Sequence, residues 1–600
     1  MDIYERNLFA YKKKYMDFEI IDDETYFVVE MGKNQNPTIK FTNNDAQYYF
    51  HSKYDPVNEA KRWADSFYEE GNISILIGLG LGYHAKSLLK KMDKEDYMII
   101  IEPSKEIFQL AIQNVDLTDL INNKQVFIHI GTDYNGIRSI LEGFNRQQFR
   151  PYKINISHHY DKLFNEEIKS ILKIIEEAIM SYKIDLNTRI FFSEKWQENY
   201  LRNLKHAINS IPFKVFEDKF TSPVIIVSAG PSLKEEIDYL KTIHNRAIII
   251  CSGSAITILE KYNIKPHIIV SIDGDLENYN HFKKLKNRDR PLFYSPHLHY
   301  KILDEYLGPK IVFQPTGIGI YNWYNEMIGF ETGTVYQGSS VANGVLDIAT
   351  RISSGPICFI GQDLGYTGGY SHPEGHNHRK SLDSIKNNNR NLFTIESNDG
   401  SKLFTDYVYY GMKKWFEDYL DVKKLDHVYN ATLKGAKIKG TKPISFQKFI
   451  EKFCTIETDI EAMISDIIFE NKNDTMKVNS EEKIDEIKNV VSTFIEYSSK
   501  GEKISKELLE TVINNKSDDK KINKLLVKLN KVDRKIHQLN DKDLILYFIK
   551  QPLMIKMEFW KNRKKTDDEK NDVSIAEKNY YFYKELNSMA NKVKVILEQI

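Results

Sequence analysis

A buried strand that ends in glycine and is followed at once by an amphipathic helix occurs twice in this chain. The first example is ISILIGLGLGYHAKSLLK, residues 73–90, and the second is VIIVSAGPSLKEEIDYL, residues 224–240. Other continuous apolar strands, such as YMIIIEP and AIIIC, alternate with helices around both examples. Apolar strands without polar alternation are typical of parallel sheets that carry helices on both faces. The pattern therefore predicts two Rossmann-like α/β regions in succession.

From about residue 445 the chain consists of amphipathic, charge-rich segments with almost no glycine, which predicts helices. We therefore divide the chain into three domains. They are an N-terminal α/β domain with a helical connector, a central catalytic domain and a C-terminal α-helical domain, at residues 1–200, 201–442 and 443–600. The helical domain is interpreted either as a bundle core or as a surface that binds a partner.

Composition limits the function classes. The 600 residues carry 84 basic and 84 acidic side chains, and this balance argues against a nucleic-acid partner. The three cysteines have no metal-ligand spacing and are typical of a reducing compartment. The N-terminus has no apolar signal segment, and no run has the roughly 18 apolar residues that a membrane helix needs. We expect a cytoplasmic protein with no membrane partner.

The first glycine turn contains Gly78, Gly80 and Gly82, and Glu102 ends the next strand. An acidic residue about 20 positions after such a turn is the spacing expected of a ribose ligand. One interpretation is a nucleotide or S-adenosylmethionine site, and hence a methyltransferase. The other is that the glycines only allow tight strand-to-helix packing. No methyltransferase catalytic motif follows the turn.

The second glycine turn has features of an anion site. Gly230 allows close backbone approach, and Pro231 suits a helix entrance. Ser232 can cap the helix or donate to an anion, and the helix N-terminus favours negative charge. The next two strands also end in small or polar residues, at Ser252-Gly253-Ser254 and at Asp273. Because parallel strands end at one edge of the sheet, these turns predict a ligand site there.

These motifs resemble those of the motility-associated factor (Maf) family of flagellin glycosyltransferases. The resemblance rests on SAGPSL, the SGS turn and IKPHIIVSIDGD, and further on QGSSVA at 337–342, GQDL at 361–364 with YT and SH after it, and NATLKGAKIKG at 430–440. The N-terminal glycine turn with IEPS is similar to the companion domain of that family, so the likeness covers most of the chain. Two positions depart from the family pattern. Ser228 replaces a frequent glycine, and Leu433-Lys434 replaces a frequent acidic-Gly pair, which puts the role of that loop in doubt.

The resemblance implies a central domain similar to sialyltransferases, a variant of the GT-A glycosyltransferase fold. It implies transfer of a nonulosonic acid (pseudaminic, legionaminic or a related sialic-type acid) from a CMP-activated donor to Ser or Thr hydroxyls of flagellin, in bacterial motility. The residues assigned to nucleotide-sugar binding are Ser228, Gly230, Pro231, Ser232, Ser252, Gly253, Ser254, Asp273, Gln337, Ser339, Ser340 and Gln362.

The acceptor hydroxyl loses a proton as it attacks, so a base is useful. His372 is assigned as the catalytic base or as an acceptor-site residue, and Asp363 either orients it or takes its role. His297 and His299 are the reserve candidates. His376 and His378 follow in the same glycine-rich segment, which we interpret as a lid over the donor.

Asp273-Gly-Asp275 has the form of a D-x-D cation motif, whose hard oxygen ligands suit Mg²⁺ or Mn²⁺. An aspartate-rich turn explains the pattern almost as well. The sialyltransferase likeness implies that no cofactor is required.

Three alternatives remain open from the sequence. A pyrophosphokinase of the 6-hydroxymethylpterin type would use the same central glycine turn, although such chains are much shorter. A methyltransferase would use the turn at Gly78. A non-enzymatic flagellin-binding scaffold would bind no CMP.

Overall fold

A computed structural model describes residues 2–600 except for a set of short segments. These segments are 16–25, 44–46, 95, 148–151, 287, 318, 375–378, 388–391, 473–479, 515–517, 540–545, 551–552 and 554–571. The chain forms two compact units, Met1–Lys183 and Ile184–Ile600. Among the described residues, no helix has the length and hydropathy needed to cross a membrane.

The first unit contains a parallel four-stranded sheet in the order β6-β5-β4-β7 and an antiparallel three-stranded sheet in the order β1-β2-β3. Its strands are β1 (Phe27–Met31), β2 (Pro37–Thr42), β3 (Gln47–Tyr49), β4 (Ile73–Ile77), β5 (Tyr97–Glu102), β6 (Val126–Ile130) and β7 (Tyr152–Ile156). Its helices are α1 (Ile3–Lys14), α2 (Pro56–Phe67), α3 (Tyr83–Leu89), α4 (Lys105–Asn114), α5 (Thr118–Asn122), α6 (Tyr134–Gln147), α7 (Tyr160–Leu163) and α8 (Asn165–Arg202), the last of which continues into the second unit.

The second unit is built on a nine-stranded parallel sheet in the order β20-β19-β16-β9-β10-β11-β12-β13-β8. These strands are β8 (Ile211–Pro212), β9 (Val224–Val227), β10 (Ile248–Ser252), β11 (Ile268–Ser271), β12 (Leu292–Tyr294), β13 (Lys310–Val312), β16 (Ile357–Ile360), β19 (Val428–Asn430) and β20 (Lys442–Pro443). Two short pairs complete the strands, β14 (Gln314–Pro315) with β15 (Thr334–Val335) and β17 (Leu392–Glu396) with β18 (Lys402–Asp406).

Helices surround this sheet and continue to the C-terminus. They are α9 (Leu204–Ala207), α10 (Leu233–Leu240), α11 (Ile256–Lys261), α12 (Leu276–Lys283), α13 (Tyr300–Glu305), α14 (Tyr321–Ile328), α15 (Val341–Ile352), α16 (Leu382–Asn387), α17 (Tyr407–Lys423), α18 (Phe446–Phe453), α19 (Ile460–Asn471), α20 (Ser480–Asn514), α21 (Asp519–His537) and α22 (Asp572–Leu597). Short 3-10 helices span Phe213–Phe216 and Thr367–Gly369, and a π-helical turn spans Leu546–Lys550.

Both faces of the nine-stranded sheet are buried. Alternate residues of its strands point to opposite faces, so Ile225 and Val227 belong to one hydrophobic core and Val224 and Ile226 to the other. The first of these cores also contains buried residues of α20, α21 and α22. The C-terminal helices therefore share a core with the sheet. The domain boundary predicted at residue 442 stays a prediction. The boundary predicted at residue 200 also stays a prediction, and it falls within α8.

The mixed α/β class with parallel sheets and a helical C-terminal region is confirmed. The runs predicted as buried strands form β4, β5, β9, β10 and β11. The amphipathic helix predicted after the second glycine turn forms as α10 and buries Leu233, Ile237 and Leu240. The likeness to sialyltransferases stays a prediction.

Candidate functional site

The carboxyl ends of the central parallel strands gather most of the residues predicted to bind a nucleotide sugar. Beside β9 the strand order reverses, because β10 to β13 follow on one side and β16 and β19 lie on the other. Open α/β sheets bind ligands in the crevice at such a reversal. We call this region the strand-end site and define it by the residues after β9, β10, β11 and β16, namely 228–232, 252–254, 273–275 and 361–363.

Two turns on adjacent strands meet at the reversal. The Ser228 hydroxyl donates to Gln362 Oε1 at 2.5 Å, although 134 residues separate the two in sequence. The Gly230 amide donates to the Gly361 carbonyl at 2.8 Å. The structure thus brings together residues that the sequence assigned to binding from two distant motifs.

The N-terminus of α10 already faces a carboxylate of the chain itself. Ser232 donates to Asp363 Oδ2 from its hydroxyl at 2.7 Å and from its amide at 3.3 Å. A Cβ atom added at Gly230 would lie 1.9 Å from the same oxygen. The anion that helix geometry favours here is therefore Asp363. Binding of a donor phosphate by this turn stays a prediction.

Asp363 is 3% exposed, and burial raises the pKa of its carboxyl against the opposing effect of the nearby Thr367 and Ser232 hydroxyls. Within the described part of the chain, its Oδ1 has no hydrogen-bond partner, and neither has Nδ2 of the buried Asn430. Buried polar atoms without partners are uncommon and often mark functional positions.

The late motif at 430–440 packs on Asp363. Thr432 Oγ1 accepts from the Gln362 amide at 3.1 Å, and the Ala436 amide donates to the Asp363 carbonyl at 2.8 Å. At the position that departs from the family pattern, Lys434 pairs with Glu235 at 2.8 Å on the surface.

The ends of β10 and β11 lie next to each other. The Gly253 amide donates to the Val270 carbonyl at 2.9 Å, and the Ser252 and Ser254 hydroxyls are 3.5 Å apart. Asp273 is exposed, yet the protein atoms around it displace enough water to raise its pKa to about 6, with a smaller contribution from Asp275. Asp273 is thus a solvent-accessible carboxylate whose pKa is raised to about 6.

The D-x-D pair does not fit a site of two free carboxylates. Asp275 caps α12, because its Oδ1 accepts from the Asn278 amide at 2.6 Å. Among the described residues, no group of three or more His, Cys, Asp or Glu side chains could hold a metal ion. A role for Mg²⁺ or Mn²⁺ stays a prediction without structural support.

The segment Gln337–Ser340 precedes α15, a crossover helix between parallel strands. Such a helix runs antiparallel to its strands, so its N-terminus lies at the carboxyl edge of the sheet. Ser340 caps α15 through a reciprocal capping box with Asn343, and Ser339 is exposed. Gln337 Nε2 is buried without a hydrogen-bond partner in the described structure. These residues lie at the edge that carries the strand-end site.

His372 lies in the segment that follows β16. Its Nδ1 is 3.1 Å from the Ser371 hydroxyl, which also accepts from the Lys380 amide at 2.9 Å. The start of this segment is anchored by Tyr366, which donates to Asp406 at 2.7 Å. The predicted pairing of His372 with Asp363 stays a prediction. His376 and His378 lie outside the described residues.

The two reserve histidines have structural contacts instead. His297 is half-buried, and burial lowers its pKa to about 4, so it is neutral at pH 7. His299 caps α13 and stacks on Tyr279 at 5.2 Å.

Sequence reasoning missed one face of α8. This face contacts the loop after β12 and carries, at helical spacing, Trp196, Asn199, Tyr200 and Asn203. Asn203 Nδ2 donates to the carbonyls of Pro296 and Leu298 in that loop, at 2.9 and 2.7 Å. Two asparagines on an apolar helical face are the signal that could have identified it.

The glycine turn of the first unit is filled by the chain's own side chains. The Leu79 amide donates to Glu102 at 2.7 Å, the Gly80 amide to Tyr160 Oη at 3.0 Å and the Leu81 amide to His51 Nε2 at 2.8 Å. Burial raises the pKa of Glu102 to about 7. The acid with ribose-ligand spacing therefore binds backbone amides, which favours the packing interpretation of this turn.

Two family models match different parts of the chain. Residues 10–182 match the family described as "Glycosyltransferase Maf N-terminal domain". Residues 198–369 match the family described as "6-hydroxymethylpterin diphosphokinase MptE-like".

A solved structure and a curated protein are also similar. The Maf glycosyltransferase of Magnetospirillum magneticum AMB-1 has a similar fold, with a TM-score of 0.55 and 14% identity over 100% of this chain and 95% of that one. An uncharacterised protein of Treponema pallidum (strain Nichols) is 23% identical over 166 residues, which are 28% of this chain and 79% of that protein.

Proposed function

Because the chain belongs to the Maf glycosyltransferase family, we propose that it transfers a nonulosonic acid from a CMP-activated donor to Ser or Thr hydroxyls of flagellin. The observation that best supports this proposal is the strand-end site itself. Nine of the residues it comprises, from four strand ends, were assigned to such a donor from the sequence, and they lie at the carboxyl ends of neighbouring strands beside the strand reversal, where open α/β folds bind ligands. The donor sugar and the flagellin acceptor are parts of the proposal.

In this proposal the two sides of the crevice have different roles. The turn at Gly230 and the Ser252–Ser254 turn border the nucleotide, with backbone and hydroxyl groups as hydrogen-bonding partners. Asp273, which is exposed on the neighbouring strand end, binds the ribose or orients the sugar. Asp363 stabilises the turn at Ser232 by accepting a hydrogen bond from its hydroxyl.

In the reaction, the acceptor hydroxyl oxygen forms a bond to the anomeric carbon of the sugar. The bond from that carbon to the phosphate oxygen breaks, and CMP leaves with the electron pair. His372 accepts the hydroxyl proton, and Asp363 is the other candidate for this role. Both residues follow β16, so they lie on the same segment beside the proposed donor site.

Calorimetric titration of the full chain with CMP tests the proposal. The variant for this titration is Asp273→Asn, because the Asp273 side chain is exposed and its replacement should not disturb the packing. A larger residue at Gly230 would overlap with Asp363 and disturb the site itself. We expect the wild type to bind CMP and Asp273→Asn to bind about 10-fold more weakly, which is about 1.4 kcal/mol. Asp421→Asn removes a carboxylate of α17 that is 80% exposed and should bind CMP as the wild type does. No binding of CMP to the wild type would overturn the proposal.

A pterin pyrophosphokinase is the second candidate, because residues 198–369 match the MptE-like family over most of the central sheet. The hydroxymethyl oxygen of the pterin would form a bond to the β-phosphorus of ATP, and AMP would leave with the bridging oxygen. Incubation with ATP and 6-hydroxymethylpterin, followed by mass spectrometry, distinguishes the two candidates. A pterin diphosphate product together with no CMP binding would favour this function.

A further inference from the structure

Asn199 of α8 joins two loops at the strand-end site. Its Nδ2 donates to the Gly274 carbonyl at 3.0 Å and to the His297 carbonyl at 3.1 Å. Its Oδ1 accepts from the Tyr300 amide at 3.3 Å. The side chain is 3% exposed, so these bonds form without competition from water. Asn199 therefore fixes the backbone between Asp273 and Asp275.

Gly274 packs closely against the loop that contains His297. A Cβ atom added there would be 2.4 Å from the His297 carbonyl oxygen and 2.5 Å from Asn199 Nδ2. The neighbouring Asp273 carbonyl accepts from Asn278 Nδ2 at 2.8 Å. The backbone on both sides of the Asp273 side chain is thus held by hydrogen bonds and close packing.

The C-terminal helical region reaches the same loop through Tyr547. The Tyr547 hydroxyl is 3.1 Å from His297 Nε2, and its carbonyl accepts from Gln197 Nε2 at 2.9 Å. The His297 ring also packs against Trp196 and Tyr200. Tyr547 therefore holds the side chain of His297. The backbone carbonyl of the same residue accepts from Asn199 Nδ2, which also donates to the Gly274 carbonyl.

We propose that Asn199, His297 and Tyr547 form a clasp that positions Asp273 for the donor, so that the C-terminal helical region supplies a positioning residue to the strand-end site. The role of the clasp in transfer rests on the proposed function. Catalytic geometry tolerates little displacement, and an error of about 1 Å can reduce a rate 100-fold. An exposed carboxylate depends on its backbone for orientation, which the clasp provides.

The ionisation of Asp273 gives the clasp a specific readout. The nearby titratable and charged groups are Asp275 on the same loop and His297 and His299 on the next, with Lys195 and Glu198 of α8 and Lys301 of α13 facing His299. If the charged form of Asp273 binds the donor, transfer rises with pH through about 6. A loosened clasp admits water, lowers the pKa of Asp273 towards its ordinary value and moves that midpoint to lower pH.

The test compares two Tyr→Phe variants of the full chain, each of which loses one hydroxyl. Tyr547→Phe loses the hydrogen bond to His297. Tyr583→Phe loses a hydrogen bond to Asp533, and both of these residues belong to the C-terminal helices. We expect Tyr547→Phe to lower kcat for transfer from the CMP-activated sugar about 10-fold, to shift the pH midpoint downwards and to increase hydrogen exchange in residues 268–282. Tyr583→Phe should match the wild type in all three measurements.

Unchanged exchange in residues 268–282 of Tyr547→Phe would overturn the clasp, whether or not the chain transfers sugar. Equal losses in both variants would also overturn it, because they would indicate general destabilisation. If Tyr547→Phe shows increased exchange but an unchanged kcat and pH midpoint, the clasp does not position Asp273 for transfer. A wild type that transfers no sugar would contradict the proposed function, while the exchange measurement would still decide whether the clasp exists.

Discussion

Gly230 shows how one residue joins two strand ends. Its backbone does not have a positive φ, so the need for glycine comes from space and not from conformation. An added Cβ would meet Asp363 Oδ2 at 1.9 Å and the Gly361 carbonyl at 2.4 Å. One of these neighbours is a buried carboxylate and the other is backbone, so neither can move aside easily.

Gly230→Ala should therefore lower the free energy of unfolding by about 2–3 kcal/mol through overpacking. Urea unfolding of the full chain, followed by tryptophan fluorescence, measures this, since four of the five tryptophans lie after residue 183. Gly411→Ala in α17 is the matched control. Its Cβ would meet nothing within 4 Å, and alanine should raise stability by up to about 1 kcal/mol. Equal stability of Gly230→Ala and the wild type would show that the crevice can relax.

At the scale of an element, the same strand-glycine-helix pattern serves two purposes in this chain. Around β9 it places polar groups at a strand reversal. Around β4 its amides are used by Glu102, Tyr160 and His51, and the Tyr160 ring would lie 2.6 Å from a Cβ at Gly78. When side chains of the same protein occupy a glycine turn at a helix N-terminus, as around β4, the turn serves packing and does not bind a ligand.

Tyr160→Phe should loosen this turn without opening a ligand site. The hydroxyl donates to Glu102 at 2.5 Å and accepts from the Gly80 amide, so its loss removes the acceptor of a buried amide and one of the hydrogen bonds to Glu102, at a cost of about 1–3 kcal/mol. Hydrogen exchange of residues 73–83 should increase in Tyr160→Phe and stay unchanged in Tyr54→Phe, whose ring is 65% exposed. Binding of S-adenosylmethionine to the wild type would contradict the filled turn.

At the scale of the whole molecule, the C-terminal helices complete the core of the second unit. Tyr429 of β19 packs on Phe453 of α18 at 4.9 Å, and Trp323 of α14 packs on Phe548 at 5.7 Å. α14 also contacts α20. The sheet and these helices bury apolar surface together, so neither has a complete core alone.

A chain that ends at residue 442 should consequently fail to form a stable second unit. We expect aggregation, or a second unit that proteases degrade rapidly, because the apolar faces at Trp323 and Tyr429 become exposed. A chain of residues 1–183, which is a compact unit of its own, should resist the same protease. Limited proteolysis of both truncated chains measures this. A protease-resistant second unit in the 1–442 chain would instead support a separate C-terminal domain.

The sequence by itself determined the fold class and the central strands of both parallel sheets, and it predicted that the residues after those strands share one edge, whereas strands such as β7, β8 and β19 came only from the structure. It could do so because continuous apolar runs and glycine turns are local signals, and parallel strands share one carboxyl edge. Only the tertiary structure decided which of those residues meet. Asp363 and Ser232 are 131 residues apart, Glu102 and Tyr160 are 58 apart, and His297 and Tyr547 are 250 apart. No local pattern encodes such contacts, since they depend on strand order and on close packing between distant segments.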